Sequence, residues 1–165
     1  MSNTIDQEMA LAYSNMSKSS ALNKLYAAKA RREGNVLLSK LLHSISRSEN
    51  IHARRSLMYI RGKLGDPTEY LKHLLHDKHE NAFANYPKIS QLSVDSRKKK
   101  ASEAFDQFSK VTKIHLTLLN EALKGGADES TTYYVCQICG FIAVDEAPRK
   151  CPVCNAVQEK FRLED

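Results

Sequence analysis

Tryptophan is absent from this chain of 165 residues, aromatic residues of all kinds make up only 7%, and there are just six glycines and four prolines. So few turn formers exclude a turn-rich all-β architecture and favour long helices. No run approaches the ~18 consecutive apolar residues of a membrane-crossing helix, so no membrane partner is expected. Met1 to Gln7 lacks the basic start and apolar stretch of a signal peptide, which makes the cytoplasm the expected location. Acidic charge is also scarce, with 25 Lys and Arg against 19 Asp and Glu and a net charge of +6. The C-terminal residues 131–165 carry four basic and five acidic side chains, so the basic excess belongs to residues 1–130. Its densest run is Arg97-Lys98-Lys99-Lys100. The plain reading is a solvated helix face, with a docking patch for an acidic partner second. Nucleic acid is not expected, because no aromatics interleave with the run to stack on bases.

What is present is helical period. A first helix is predicted from near Asp6 to Arg32, with Gly34 separating it from a second. The second carries Leu38, Leu42, Ile45, Glu49 and His52 on one stripe and ends near Gly62 to Gly65. Asp66-Pro67 reads as an N-cap followed by proline at the first helical position. The third helix turns Leu71, Leu74, Leu75 and Lys78 inward, and Pro87 must kink or interrupt it. Asp95 or Ser96 is the expected cap of a fourth helix striped with Ala101, Phe105, Phe108, Thr112, His115, Leu119 and Ala122. Four such helices on short connections predict a mainly α chain, an antiparallel four-helix bundle over residues 1–124. Gly125-Gly126 ends the last helix, and residues 125–131, small and polar, read as a linker.

Residues 132–165 hold all four cysteines, as Cys136-Gln-Ile-Cys139-Gly and, after eleven residues, Cys151-Pro-Val-Cys154-Asn. Two residues between cysteines let both thiolates converge on one ion from a tight knuckle whose backbone N–H groups can point at the sulfurs. Two knuckles give a tetrahedral four-sulfur metal site. The other reading, two disulfides, needs an oxidising compartment that nothing in the sequence indicates. Four thiolates suit iron and zinc alike. Tyr133-Tyr134-Val135 and Phe141-Ile142 supply an apolar shell, and metal binding is expected to contribute much of the folding energy of so small a domain.

With these motifs in view the chain resembles the rubrerythrins, ferritin-like four-helix bundles fused to a C-terminal rubredoxin-like domain. Tyr134-Val-Cys-Gln-Ile-Cys-Gly-Phe-Ile, Ala147-Pro148 and Cys151-Pro-Val-Cys154 are similar to the family's C-terminal domain, with a loop about one residue shorter between the knuckles. Ala30-Arg-Arg-Glu-Gly34, Ser48-Glu-Asn-Ile-His-Ala53 and Tyr86-Pro87 sit where the helical region has comparable motifs. The resemblance implies two irons held between the helices by carboxylates and two Glu-x-x-His motifs, a homodimer, and electrons passing from the four-cysteine iron of one subunit to the paired irons of another.

Matched residue by residue, this chain departs from that pattern. Glu49 and His52 fit the first Glu-x-x-His, and His115 fits the second histidine. Met16, Lys78, Asn81 and Thr112 stand where the family has carboxylates. A diiron centre is therefore not expected. Lys78 is placed to put an ammonium where an iron's charge would be and to pair with Glu49, with His52, His115, Thr112 and Asn81 supplying hydrogen bonds. Met16 reads as a core residue filling vacated space. The expected function is electron transfer through an Fe(Cys)4 centre to a protein partner. Three alternatives stand beside it. Glu49, His52 and His115 could hold a single iron or manganese, a remodelled bundle site could still reduce peroxide, or the chain could be a zinc-ribbon scaffold without redox activity.

Overall fold

Gly34, at φ +81°, turns the chain between the first two helices in a left-handed conformation that costs an L side chain strain. The computed structural model describes residues 2–126 and 128–164, so Met1, Ala127 of the expected linker and Asp165 lie outside the described residues. Helix α1 spans Ser2–Arg32, starting some four residues before the predicted Asp6, and α2 spans Val36–Arg61. Asn35 caps α2, its side chain accepting from the Leu38 amide at 3.0 Å. The chain forms two compact units, Met1–Gly65 and Asp66–Asp165.

In the first unit α1 and α2 run antiparallel across a seam of small side chains. Ser20, Ala27 and Ala30 of α1 and Ser39, Ser46, Ala53 and Ser56 of α2 are buried. The Ser20 and Ser46 hydroxyls each reach the other residue's carbonyl at 2.8 Å, and Ser39 Oγ donates to Ala27 O at 2.8 Å. Small residues let the two backbones approach this closely, and the hydroxyls satisfy themselves without water. The predicted apolar stripe of α2 runs beside this seam, with its Leu42 and Glu49 half-buried. Leu38 and Ile45 are 41% and 38% exposed, while Ser39 and Ser46, one position on, take the seam.

The second unit opens as its sequence foretells. Asp66 accepts from the Thr68 and Glu69 amides at 2.8 and 3.0 Å, and Pro67 begins α3, Pro67–Glu80. Leu71, Leu74, Leu75 and Lys78 are the partly buried residues of α3, and Glu80 is exposed. Just before Pro87 the regular α-helix is interrupted, as expected. It passes through one π-helical turn, Asn81–Asn85, into α4, Tyr86–Asp95. The Tyr86 amide bonds Asn81 O in the wider register, and Pro87 has no N–H to give. The Ala82 carbonyl is therefore left over, and Ser109 Oγ of α5, Lys99–Leu123, donates to it at 2.7 Å.

Asp95 and Ser96 do not cap α5. They end α4, Arg97 turns through φ +55°, and α5 begins behind Lys98 without a side-chain cap. The α4–α5 seam repeats the logic of the first, with Ser90 Oγ 3.1 Å from Ser102 Oγ. Beside it Tyr86, Phe105 and Phe108 form an aromatic cluster with centroids 5.5–6.0 Å apart, Phe108 edge-on to the other two rings.

A small antiparallel sheet follows α5. It consists of β1 (Tyr133–Cys136), β2 (Ile142–Val144) and β3 (Phe161–Glu164) in the order β2-β1-β3. Tyr134 lies opposite Ala143 on one side and Leu163 on the other. Its core is Cys136, Ala143, Ala147, Cys151 and Phe161, with Phe141 edge-on to Phe161 at 6.1 Å.

Candidate metal centre

Each Cys-x-x-Cys turn is built the same way. In the first, the Cys136 amide donates to Phe141 O at 2.8 Å and the Gly140 amide to Cys136 O at 2.9 Å. In the second, the Cys151 amide donates to Ala156 O at 2.8 Å and the Asn155 amide to Cys151 O at 2.9 Å. The residue after each second cysteine is left-handed, Gly140 at φ +81° and Asn155 at φ +59°. Glycine and asparagine are the residue types that accept this turn most readily, which is why the two knuckles end in Gly and Asn.

The result is convergence. All four Sγ atoms lie within 4.8 Å of one another, with Cys136 and Cys151 buried and Cys139 and Cys154 half-buried. Cys136 Sγ is 3.7 Å from Cys154 Sγ and Cys139 Sγ is 3.5 Å from Cys151 Sγ. A disulfide needs about 2.05 Å, and all four thiols are free. A metal with four sulfurs at about 2.3 Å requires sulfur–sulfur edges of about 3.8 Å, so the donor set fits a tetrahedral ion.

The local fields are uneven. Burial opposes ionisation of Cys136, yet the Cys139 and Ile138 amides, joined by the Cys154 and Cys139 thiols, together hold that thiol below its ordinary value. Burial pushes Cys139 and Cys154 up, against single amides from Phe141 and Ala156. The amides thus point at the sulfurs as the spacing predicts, and a cation is what would let all four ionise together.

The helical candidates are divided between the two units. In the first, Glu49 Oε1 accepts from Ser19 Oγ at 2.7 Å and Glu49 Oε2 from Asn23 Nδ2 at 2.8 Å. Met16 is half-buried on α1, and His52, one turn along α2, is exposed. In the second unit, Lys78 Nζ lies 3.4 Å from His115 Nδ1. An ammonium only donates, so Nδ1 accepts and the ring proton sits on Nε2, which is buried without a hydrogen-bond partner. Burial first, and the Lys78 charge second, push His115 below the ordinary histidine value; the Gly140 backbone acts in the opposite sense. Thr112 is buried one turn before His115. Asn81 accepts from Asn85 Nδ2 at 3.1 Å within its own helix.

Within the first unit Glu49 is held by neutral donors, and within the second Lys78 lies beside His115. Sequence reasoning missed Ser19 and Asn23. The signal was there, since they follow Met16 at three and seven residues and share its helix face. Among the described residues, the four cysteines are the group of three or more potential metal ligands that converges.

These features define a ferritin-like helical protein with a small rubredoxin-like four-cysteine domain. The family model described as rubrerythrin, rubredoxin-like domain, matches residues 134–162. Rubrerythrin-2 of Clostridium acetobutylicum is 22% identical over 142 residues, covering 76% of this chain and 77% of the relative. The rubrerythrin of Porphyromonas gingivalis is 22% identical over 175 residues, covering 94% of this chain and 88% of the relative. Among solved structures, partially reduced nigerythrin matches with a TM-score of 0.57 at 17% identity, and its mixed-valence state with 0.56. Each match covers 97% of this chain and 86% of nigerythrin. The chain is thus similar to rubrerythrins over most of its length, with the family-model match lying in its C-terminal domain. Among the described residues no helix is long and apolar enough to cross a membrane.

Proposed function

We propose that this protein transfers electrons through a single Fe(Cys)4 centre held by Cys136, Cys139, Cys151 and Cys154, and that it lacks the family's paired-iron peroxidase site. The observation that carries the reading is the four-sulfur cluster, with edges of 3.5 and 3.7 Å that suit one tetrahedral ion. When bound, the iron would supply one-electron chemistry between ferrous and ferric states. The chain's own part is to hold the sulfurs in place, to offset their negative charge with the Ile138, Cys139, Phe141 and Ala156 amides, and to shield them with Phe141 and Phe161.

The loss of the second site is supported by what the remaining ligands do. The two Glu49 oxygens already accept from Ser19 and Asn23, and the lone pair of His115 Nδ1 already faces an ammonium. A cation placed at His115 would meet the Lys78 charge at close range. With no acceptor of its own, the centre would pass electrons to another protein, and the chain would work in the cytoplasm as a homodimer, as its resemblance to the rubrerythrins implies. The test is a reversible colour change. Iron-loaded protein should be red when oxidised, bleach on one-electron reduction and regain its colour in air. Protein that stays colourless after purification from iron-rich medium and contains zinc would overturn the electron-transfer reading in favour of a scaffold.

A further inference from the structure

Helix α2 has a second chemical face. His43, Arg47, Asn50 and Arg54 follow one another at steps of four, three and four. At 100° per residue, Arg47 and Arg54 lie roughly 140–160° around the axis from Glu49, on the far side of the α1–α2 seam from the carboxylate. Lys24 and Ser20 of α1 close the opposite wall, and Ser46 lies at the floor. Together these residues and Ile51 line a groove of about 610 Å³.

The charge of this groove has no internal counter-ion. None of its lining residues is acidic. Among the described residues, no carboxylate lies within 4.0 Å of Lys24, Arg47 or Arg54. The basic run at Arg97 to Lys100 differs in this respect. Lys99 there is 3.9 Å from Glu103, and Glu103 lines the same hollow. Three unpaired cations around a concavity favour a multiply charged anion, and two arginines favour phosphoryl oxygens, which their planar forks bind in pairs. Seven residues separate Arg47 from Arg54, about 10.5 Å along the axis, enough to span a diphosphate with Lys24 facing it.

The groove does not end at Arg54. Ile51 and Arg54 also line the next hollow, of about 690 Å³, with Arg55, Met58 and Tyr59. Ile51, Met58 and Tyr59 are 48%, 43% and 55% exposed, an apolar shelf flanked by two guanidiniums. A bare phosphate uses only the first hollow, and a neutral apolar molecule only the second. A phosphorylated molecule with a flat, partly apolar body uses both. We propose that this outer groove binds a nucleotide carrying two or more phosphoryl groups. Its phosphates lie on Lys24, Arg47 and Arg54, and its base lies against Ile51, Met58 and Tyr59, where arginine and tyrosine faces can stack on it.

The experiment is calorimetric titration of the full-length protein with ADP, inorganic pyrophosphate and adenosine, at low and at physiological salt. ADP should bind more tightly than pyrophosphate, adenosine should not bind measurably, and raising the salt should weaken ADP. Arg47→Gln and Arg54→Gln should each weaken ADP about tenfold. Tyr59→Ser should weaken ADP and leave pyrophosphate unchanged. All three positions are exposed, and an unchanged far-UV spectrum and melting temperature would show that the fold survives. The assignment is overturned if ADP does not bind, if both arginine variants bind it like the parent, or if ADP and pyrophosphate bind equally and Tyr59→Ser alters neither. Co-sedimentation with phosphatidylserine vesicles that ADP cannot compete away would also overturn it, pointing to lipid headgroups instead.

Discussion

In the four-cysteine domain all four sulfurs converge within 4.8 Å of one another, and a cation would let them ionise together. In the helices, the donors that match a metal site already have partners of their own: Glu49 has Ser19 and Asn23, and His115 has Lys78. The same kinds of atoms are thus kept open in one region and closed off in the other. In the cysteine domain the sulfurs face only one another and nearby amides, which leaves their convergence open to an ion. In the helices the matching groups are answered, one by one, by neutral or cationic side chains.

The largest effect is expected at the cysteines. Cys151→Ser should remove the bound metal and unfold residues 133–164, because that small core is built around the buried Cys136 and Cys151. Metal content should fall to near zero and the domain should become protease-sensitive while the helical far-UV signal stays. Retained metal would show that three sulfurs suffice and that the contrast between the regions is weaker than drawn.

Second comes the seam. Ser46→Leu inserts bulk where two backbones approach and breaks the reciprocal bonds with Ser20. A cost of about 2 kcal/mol is expected, read as a melting temperature lower by several degrees. Metal content should not change, since the seam and the cysteines belong to different units.

Glu49→Gln is a smaller perturbation. It weakens two hydrogen bonds to a charged acceptor, at a cost of about 1 kcal/mol. On the present account metal content is again unchanged. A drop on this substitution would restore the helical site and erase the comparison.

The smallest effect concerns pH. His115 is held neutral in the folded chain below its ordinary value, by burial and then by Lys78. Unfolding therefore takes up a proton as the pH falls through about 6.5, and that contribution to stability is lost between there and the lower folded value. His115→Gln should flatten the stability profile below neutrality. Lys78→Met should raise the histidine's titration midpoint part of the way in an NMR titration, because burial persists. An unmoved midpoint would show that the ammonium is not felt.

Much of this was legible in the residues. The cysteine spacing pointed to the convergence of the four sulfurs, Asp66-Pro67 gave the start of α3, and the steps of four and three at Leu71, Leu75 and Lys78 gave its inner side. The seams were not legible from hydrophobicity. Leu38, Ile45 and Phe108 carry the apolar signal yet stay 41%, 38% and 45% exposed, while serines are buried beside them. Close helix approach selects small residues, and a hydrophobic pattern is blind to that. The seven-residue repeat of Ser39, Ser46 and Ala53 was the better clue. Pro87 announced an irregularity but not its form, because the π turn depends on Ser109 rescuing Ala82 O from another helix. Lys78 was placed on the inner side of its helix, but its neighbour His115 was set by tertiary placement that the pattern does not contain.

The most direct test of the central claim is a metal count on protein purified from iron-replete cells. One iron per chain, with the spectrum of a four-thiolate centre, is the predicted result. A count close to three per chain, with Lys78 and His115 intact, would contradict it.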